Sequence, residues 1–316
     1  MNLEFLKNKF LMKRILKSII LILFPLSLFG QLTPVTDHYI LNPLSINPAF
    51  AGNRGALNVA TFYRRQWVGI PGSPQTMTLA VDAPLLSSKL GLGLMIVNDK
   101  IGVSKETQIA TTYAYKINMK DGQLSLGLGA GLLTTNTAWS DLIVLDEEDS
   151  YYQIDSRVFA IPDFNFGVYY TCRNYFIGFS IPRLLSHSFD FDKNKYSLSF
   201  KPDQYSYLLN TGYLINLSSR VKMFPSALIS YTYGNRLLYD INLHFSLFDR
   251  LWTGASYQND RSVSALLQFA VNNQLRIGYT YDFDLGKLGR YSNGSHEAML
   301  RYEFRYKVDV VNPLIF

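Results

Sequence analysis

An all-β protein, folded as a transmembrane antiparallel β-barrel of about 14 strands preceded by a signal peptide, is the fold class this sequence predicts. Three observations carry it. From about Gly55 onward apolar residues recur at every second position, most of the alternating segments run to 10 residues or more, and the two long connections both fall among the odd-numbered ones. Globular strands cluster near 5 to 6 residues, whereas membrane strands need about 9 to 11. A soluble β-sandwich array would share the alternation, so strand length and loop placement decide against it.

Composition removes other classes. Of 316 residues, 17% are charged and 15% aromatic, which is too apolar for a disordered chain. Mean hydropathy is nevertheless +0.03, as alternation produces and long apolar runs do not. The net charge of +6 is concentrated at the start, where Lys7, Lys9, Lys13, Arg14 and Lys17 face only Glu4. The remainder holds 25 basic and 23 acidic residues, so no nucleic-acid partner is expected. A single cysteine, Cys172, excludes an internal disulfide and a Cys-based zinc site.

The elements follow in order. Ser18 to Phe29 is an apolar run behind the basic cluster and ends at Gly30, which describes a secretory signal peptide over 1–30. It is shorter than the ~20 residues of a spanning helix, and an uncleaved anchor is the alternative. Residues 31–54 are read as a structured periplasmic or lumen-inserted segment, with a disordered terminus as the alternative, because Asn42-Pro43 and Asn47-Pro48 forbid regular helix or central strand. The barrel occupies 55–307, and 308–316 are a C-terminal tail.

The strands are read as 55–69, 74–84, 89–98, 104–118, 121–135, 161–172, 174–182, 204–216, 220–233, 236–247, 249–258, 261–271, 273–285 and 294–307. In 123–133, Leu124, Leu126, Leu128, Ala130 and Leu132 share one face, while Ser125, Gly127, Gly129 and Gly131 share the other. The apolar face meets lipid and the small or polar face the lumen. Tight links such as 119–122, 172–174 and 272–273 fall at even-numbered connections. The long stretches 136–160 and 183–203 fall at odd ones, the asymmetry of short periplasmic turns and longer outer loops.

Few constellations suggest chemistry. His38, His187, His244 and His296 are scattered without metal-ligand spacing. Asp240, Asn242, His244 and Ser246 line one face of a strand and could suggest acyl transfer, but the lipid face there belongs to Tyr239, Ile241, Leu243 and Phe245. A lumen hydrogen-bond row is the better reading, and neither enzymatic activity nor a cofactor is expected. The candidate lumen network comprises Asp240, His244, Arg276, Asp282, Glu297, Arg301, Glu303 and Arg305. Candidate partner contacts are Leu44, Ile46 and Phe50 in the lead, which either plug the lumen against glycines such as Gly127, Gly129 and Gly278 or dock a periplasmic partner. Trp139, Tyr151, Tyr152, Phe189 and Phe191 are the candidates in the long loops, beside the acidic run Asp146-Glu147-Glu148-Asp149. That run could hold calcium, though its spacing is not that of an EF-hand.

Tyr39-Ile40-Leu41-Asn42-Pro43-Leu44-Ser45-Ile46-Asn47-Pro48-Ala49-Phe50-Ala51-Gly52, then Arg64-Arg65-Gln66-Trp67 and Pro71-Gly72-Ser73-Pro74-Gln75-Thr76, resemble the N-terminal signature of the PorP/SprF family. Asp240-Ile241-Asn242, Trp252-Thr253-Gly254-Ala255-Ser256-Tyr257, Gly278-Tyr279-Thr280-Tyr281-Asp282 and Gly294-Ser295-His296-Glu297 extend the likeness over nearly the whole mature chain. The resemblance implies an outer-membrane barrel associated with the type IX secretion system of the Bacteroidetes. Its implied partners are outer-membrane lipid and an exported surface protein with a type IX C-terminal secretion domain, such as a gliding adhesin. Periplasmic ring components or a peptidoglycan-binding lipoprotein are the other implied partners. A passive diffusion porin is the alternative function.

Overall fold

A computed structural model describes residues 39–85, 89–141, 155–190, 195–235, 237–259 and 261–304, with backbone alone at 188–190 and 195. The signal-peptide segment 1–30 and the tail 308–316 lie outside these residues, as do Tyr151, Tyr152, Phe191, Arg305 and the acidic run 146–149.

The chain opens with two 3-10 turns, Pro43–Ser45 and Pro48–Phe50. The strands then follow as β1 (Leu57–Arg65), β2 (Gln75–Leu85), β3 (Leu90–Ile101), β4 (Ser104–Asn118) and β5 (Gly122–Thr137). Next come β6 (Phe159–Cys172), β7 (Tyr175–Ile181), a hairpin of β8 (Ser186–Asp190) and β9 (Lys195–Ser199), then β10 (Ser206–Tyr213) and β11 (Ile215–Asn216). The remainder are β12 (Val221–Thr232), β13 (Leu238–Leu247), β14 (Leu251–Gln258), β15 (Ser262–Ala270), β16 (Leu275–Asp284) and β17 (Ser295–Phe304). No α-helix occurs among the described residues.

Every barrel strand pairs antiparallel with its neighbours, and two pairings close the ring. β1 lies beside β17 with Leu57 opposite Phe304, and β10 lies beside β12 with Leu209 opposite Ile229. β10 and β11 both pair with β12, so they are one barrel strand interrupted at Leu214. The result is a closed barrel of 14 strands. Closure matters because an open edge would leave backbone N–H and C=O groups unpaired in hydrocarbon, at several kcal/mol each.

Burial runs opposite to that of a soluble protein. Along β5, outward Leu128 is 60% exposed while inward Ser125 is 0% exposed. Leu92, Ile109, Ile241, Leu243, Leu267 and Leu300 are likewise exposed, whereas Asp82, Gln268, Thr280 and Arg301 are among the most enclosed side chains. A surface of this kind is stable only against lipid. Exposed aromatics sit toward both strand ends, with Tyr115, Tyr175 and Tyr213 near the tight turns and Tyr63, Tyr231 and Phe283 near the long connections, as interfacial girdles require.

Each of the fourteen segments read from the sequence coincides with one strand, and 104–118 matches β4 end to end. The differences have local causes. β1 stops at Arg65 because Trp67, Gly69 and Gly72 take positive φ, which turns 66–74 back over the strand end. The stretch 183–203, read as a loop, contains the β8–β9 hairpin.

The barrel wall is uneven. β3 to β6 hold 12, 15, 16 and 14 residues, while β13 to β17 hold 8 to 10. A strand tilted ~40° crosses a ~25 Å apolar band in about 10 residues. The excess stands at the long-connection end, where the outward row changes from Leu and Ile to Asn98, Lys100, Lys105, Thr107, Thr134 and Asn136. Asn98 Nδ2 donates to Thr107 Oγ1 across that polar face (2.8 Å).

Candidate functional site

The lead segment is folded inside the barrel. All of Tyr39–Arg54 is buried except Ser45, which is half-buried. Proline at the first position of each 3-10 turn suits a residue whose N–H would be unpaired there anyway. Asn47 caps the second turn, its Oδ1 accepting from Ala49 N (2.9 Å), while its Nδ2 donates to Val168 and Phe179 carbonyls on β6 and β7 (3.0 and 3.2 Å). Ser180 Oγ donates to Ile46 O (2.6 Å). A segment with no strand partners of its own is thus tied to the wall by hydrogen bonds at Ile46 and Asn47.

The wall makes room with small side chains. A Cβ at Gly127 would stand 2.1 Å from Ala49 N, and one at Gly91 would stand 1.9 Å from Ala51 O. These are backbone atoms with no easy retreat. Gly129 and Gly278, read as further plug contacts, face Asn165 and Met299 instead. Leu44, Ile46 and Phe50 are therefore enclosed: Leu44 lies against β3 at Gly93, Ile46 joins the cluster of Tyr39, Leu208 and Leu228, and Phe50 packs edge-on against Tyr169 at 5.6 Å. Of the two placements the sequence allowed, the structure has the lumen plug. As folded, these three side chains are not available to an external partner.

Charged groups hold the plug in three places. Asp82 of β2 accepts from Gly52 N (3.0 Å) and Asn58 Nδ2 (2.8 Å) and faces Arg54 Nη1 at 3.7 Å. Lys116 Nζ donates to Gly52 O. On β17, two strands round the wall from β2, Arg301 Nη2 donates to Leu41 O, with Glu303 and Asp82 as acidic neighbours and Arg54 and Arg276 as basic ones. Half-buried Arg276 stands directly across from Arg301 in register. The third site is β13, where Asn242 Nδ2 donates both to Tyr39 OH (3.1 Å) and to Asp240 Oδ1. His244, two residues on, is buried against Gly254.

Asp282 and Glu297 belong to a separate cluster nearer the long connections, around Arg64 of β1. Arg64 Nη2 meets Asp282 Oδ2 at 2.8 Å, and its Nη1 lies 3.6 Å from Glu297 Oε2. Beside it Trp67 Nε1 donates to Asp284 Oδ2 (2.6 Å), joining the first and last long-end connections. The single network read from the sequence is thus divided into parts, and Asp82, Arg54, Lys116 and Arg64 are its unforeseen members. Asp82 and Lys116 are legible as charges on the inward parity of their strands.

At the long-connection end, Trp139 is exposed in a 3-10 turn, Trp139–Asp141. Asp155 Oδ1 accepts from both Ser140 N and Ser140 Oγ (3.0 and 2.8 Å), which holds its carboxyl below the usual carboxylate range. Phe189 lies in β8 as backbone alone. On β9, Tyr196 packs edge-on against Phe159 of β6 at 5.1 Å and near His187 of β8 at 5.8 Å. Phe159 is on the lumen-facing row of β6, so the hairpin leans on the inner side of the tall wall.

A family model described as type IX secretion system membrane protein PorP/SprF matches residues 28–302. Comparison with curated protein sequences returns no match. Solved structures with a similar chain path include Omp33 of Acinetobacter baumannii (8% identity, TM-score 0.49, covering 79% of this chain and 98% of that one). Another is the CymD monoaromatic hydrocarbon channel (11% identity, TM-score 0.49, covering 89% and 96%). A third is the KdgM porin (8% identity, TM-score 0.39, covering 78% and 99%). These likenesses carry no argument about what passes through or binds this barrel.

Proposed function

Because the chain belongs to the PorP/SprF family of type IX secretion system membrane proteins, we propose that this outer-membrane barrel supports export and surface anchoring of a partner protein and catalyses no reaction. The partner is an exported protein with a type IX C-terminal secretion domain, such as a gliding adhesin. In a second role within the same family reading, the barrel links the outer membrane to periplasmic machinery or a peptidoglycan-binding lipoprotein. In this reading the tight-turn end faces the periplasm and the long connections face outward.

The observation that carries the proposal is the plug. A diffusion porin needs an open lumen, but Tyr39–Arg54 occupies this one with side chains and backbone in direct contact with opposite walls. The non-catalytic part rests on the Asp240, Asn242, His244 and Ser246 row, which is buried on the lumen side while Ile241 and Leu243 face lipid. A lipid substrate would have no access to it.

The test is a mild-detergent pull-down of the tagged full chain, paired with deletion of 142–155. An exported giant in the eluate, and reduced surface display with intact barrel assembly in the deletion, are the expected results. Neither partner class in the eluate, together with unchanged export and display, would refute the proposal.

A further inference from the structure

The tight-turn end carries a pattern that the plug does not use. The turn tips expose Met119, Leu217, Phe248 and Val271 beyond the strand ends, with Phe248 63% exposed. Exposed Lys89, Lys120, Arg173, Arg220 and Arg250 stand among them. Only two acids share these turns, Asp121 and Asp249, and Lys222 Nζ already holds Asp249 at 2.6 Å. The connections at the other end hold nine basic and ten acidic residues by sequence, so the positive excess belongs to one rim.

One turn shows that the apolar tips are built in at a cost. Phe248 and Asp249 have φ of 56° and 53°, the left-handed region that bulky residues avoid and that such turns usually fill with Asn and Gly. The arrangement holds the Phe248 ring at the rim, with the Arg220 guanidinium over it at 5.9 Å. An aromatic ring joined to a cation, directly below the lipid-facing girdle of Tyr115, Tyr175 and Tyr213, continues the membrane surface into the headgroup layer.

We propose that this rim binds the anionic phospholipid headgroups of the leaflet it meets, the apolar tips seating in the acyl boundary and Arg173, Arg220 and Arg250 reaching the phosphates. Charge complementarity and continuity with the lipid-facing belt select this occupant. Arginine suits it because its planar fork pairs two phosphate oxygens at once.

The experiment uses the purified full chain in mixed micelles of phosphatidylglycerol and phosphatidylcholine with identical acyl chains, with retained lipid read by native mass spectrometry. Each basic group near an anionic surface is worth about fivefold in retention, so wild type keeps phosphatidylglycerol by at least that factor. High salt reduces the preference. The triple change Arg173→Gln, Arg220→Gln, Arg250→Gln lowers it to the remainder left by Lys89 and Lys120 with heat-modifiable mobility intact, and if the triple does not fold, each single change lowers it about fivefold. The change Lys201→Gln, Lys287→Gln, Arg290→Gln at the opposite end leaves it unmoved. Equal retention of the two lipids by wild type, or an unaltered preference in the folded rim variants, would overturn the proposal. So would competition by millimolar inorganic phosphate, which marks a soluble-anion site, or a bound protein displacing lipid from the rim.

Discussion

Adding one methyl group at Gly127 sets the wall against the plug. A Cβ there would lie 2.1 Å from Ala49 N, 2.4 Å from Ala49 Cα and 2.5 Å from Pro48 C, all backbone atoms. At Gly129 the nearest atoms belong to the Asn165 side chain, which can rotate away. Overpacking costs about 1 to 3 kcal/mol. Against it stands the burial of Leu44, Ile46 and Phe50, each worth about 1.5 to 3 kcal/mol, together with the bonds from Asp82, Ser180 and Arg301. The retained contacts outweigh the clash, so Gly127→Ala loosens the plug without ejecting it. Ser45→Cys in a Cys172→Ser background reports this, because the Asn47 N to Pro43 O bond couples the two turns (3.0 Å). Its maleimide labelling should accelerate about 5- to 150-fold in Gly127→Ala, since 1.4 kcal/mol is tenfold. It should stay within about twofold in Gly129→Ala. Equal labelling in both variants would refute the close packing of plug on wall.

Other expectations follow from the same geometry. Leu128→Arg puts a charge on the lipid face at about 2 to 4 kcal/mol and should reduce the yield of heat-modifiable barrel, whereas Gly129→Ser should assemble normally. Asp82→Ala strands buried Arg54 and unpairs Gly52 N, so a loss of about 3 to 5 kcal/mol should appear as a lower denaturant midpoint. The Asp155 carboxyl is held below its ordinary range by Ser140. Its contribution is therefore complete above the unfolded carboxylate pKa and lost as pH falls through the lower folded value. Trp139 emission should shift across that acidic window in wild type and not in Asp155→Asn.

Legibility followed the range of the interactions. Strand number, facing and the placement of long connections depend on period-two patterning within about ten residues, which β13 shows along its whole length and β4 and β5 through their middles. The β8–β9 hairpin has five residues per strand, and its docking relies on Tyr196 meeting Phe159, 37 positions away, so it reads as loop. The lumen charges misled for a related reason. Asp282, Glu297 and Arg301 look like one group because they crowd the last two strands, yet barrel closure brings Arg64 from β1 to the first two and leaves Arg301 to Leu41. Asp82 and Arg54 meet only after the lead folds back into the lumen, a choice that the two Asn-Pro steps permit without specifying.

Single-channel conductance of the full chain in a planar bilayer, compared with a variant lacking 39–54, tests the plugged barrel most directly. The wild-type chain should be nearly silent, and the variant should conduct in steps through a lumen lined by Asp82, Asp282, Arg64 and Arg301. Sustained porin-like conductance from the wild-type chain, equal to that of the variant, would contradict the account.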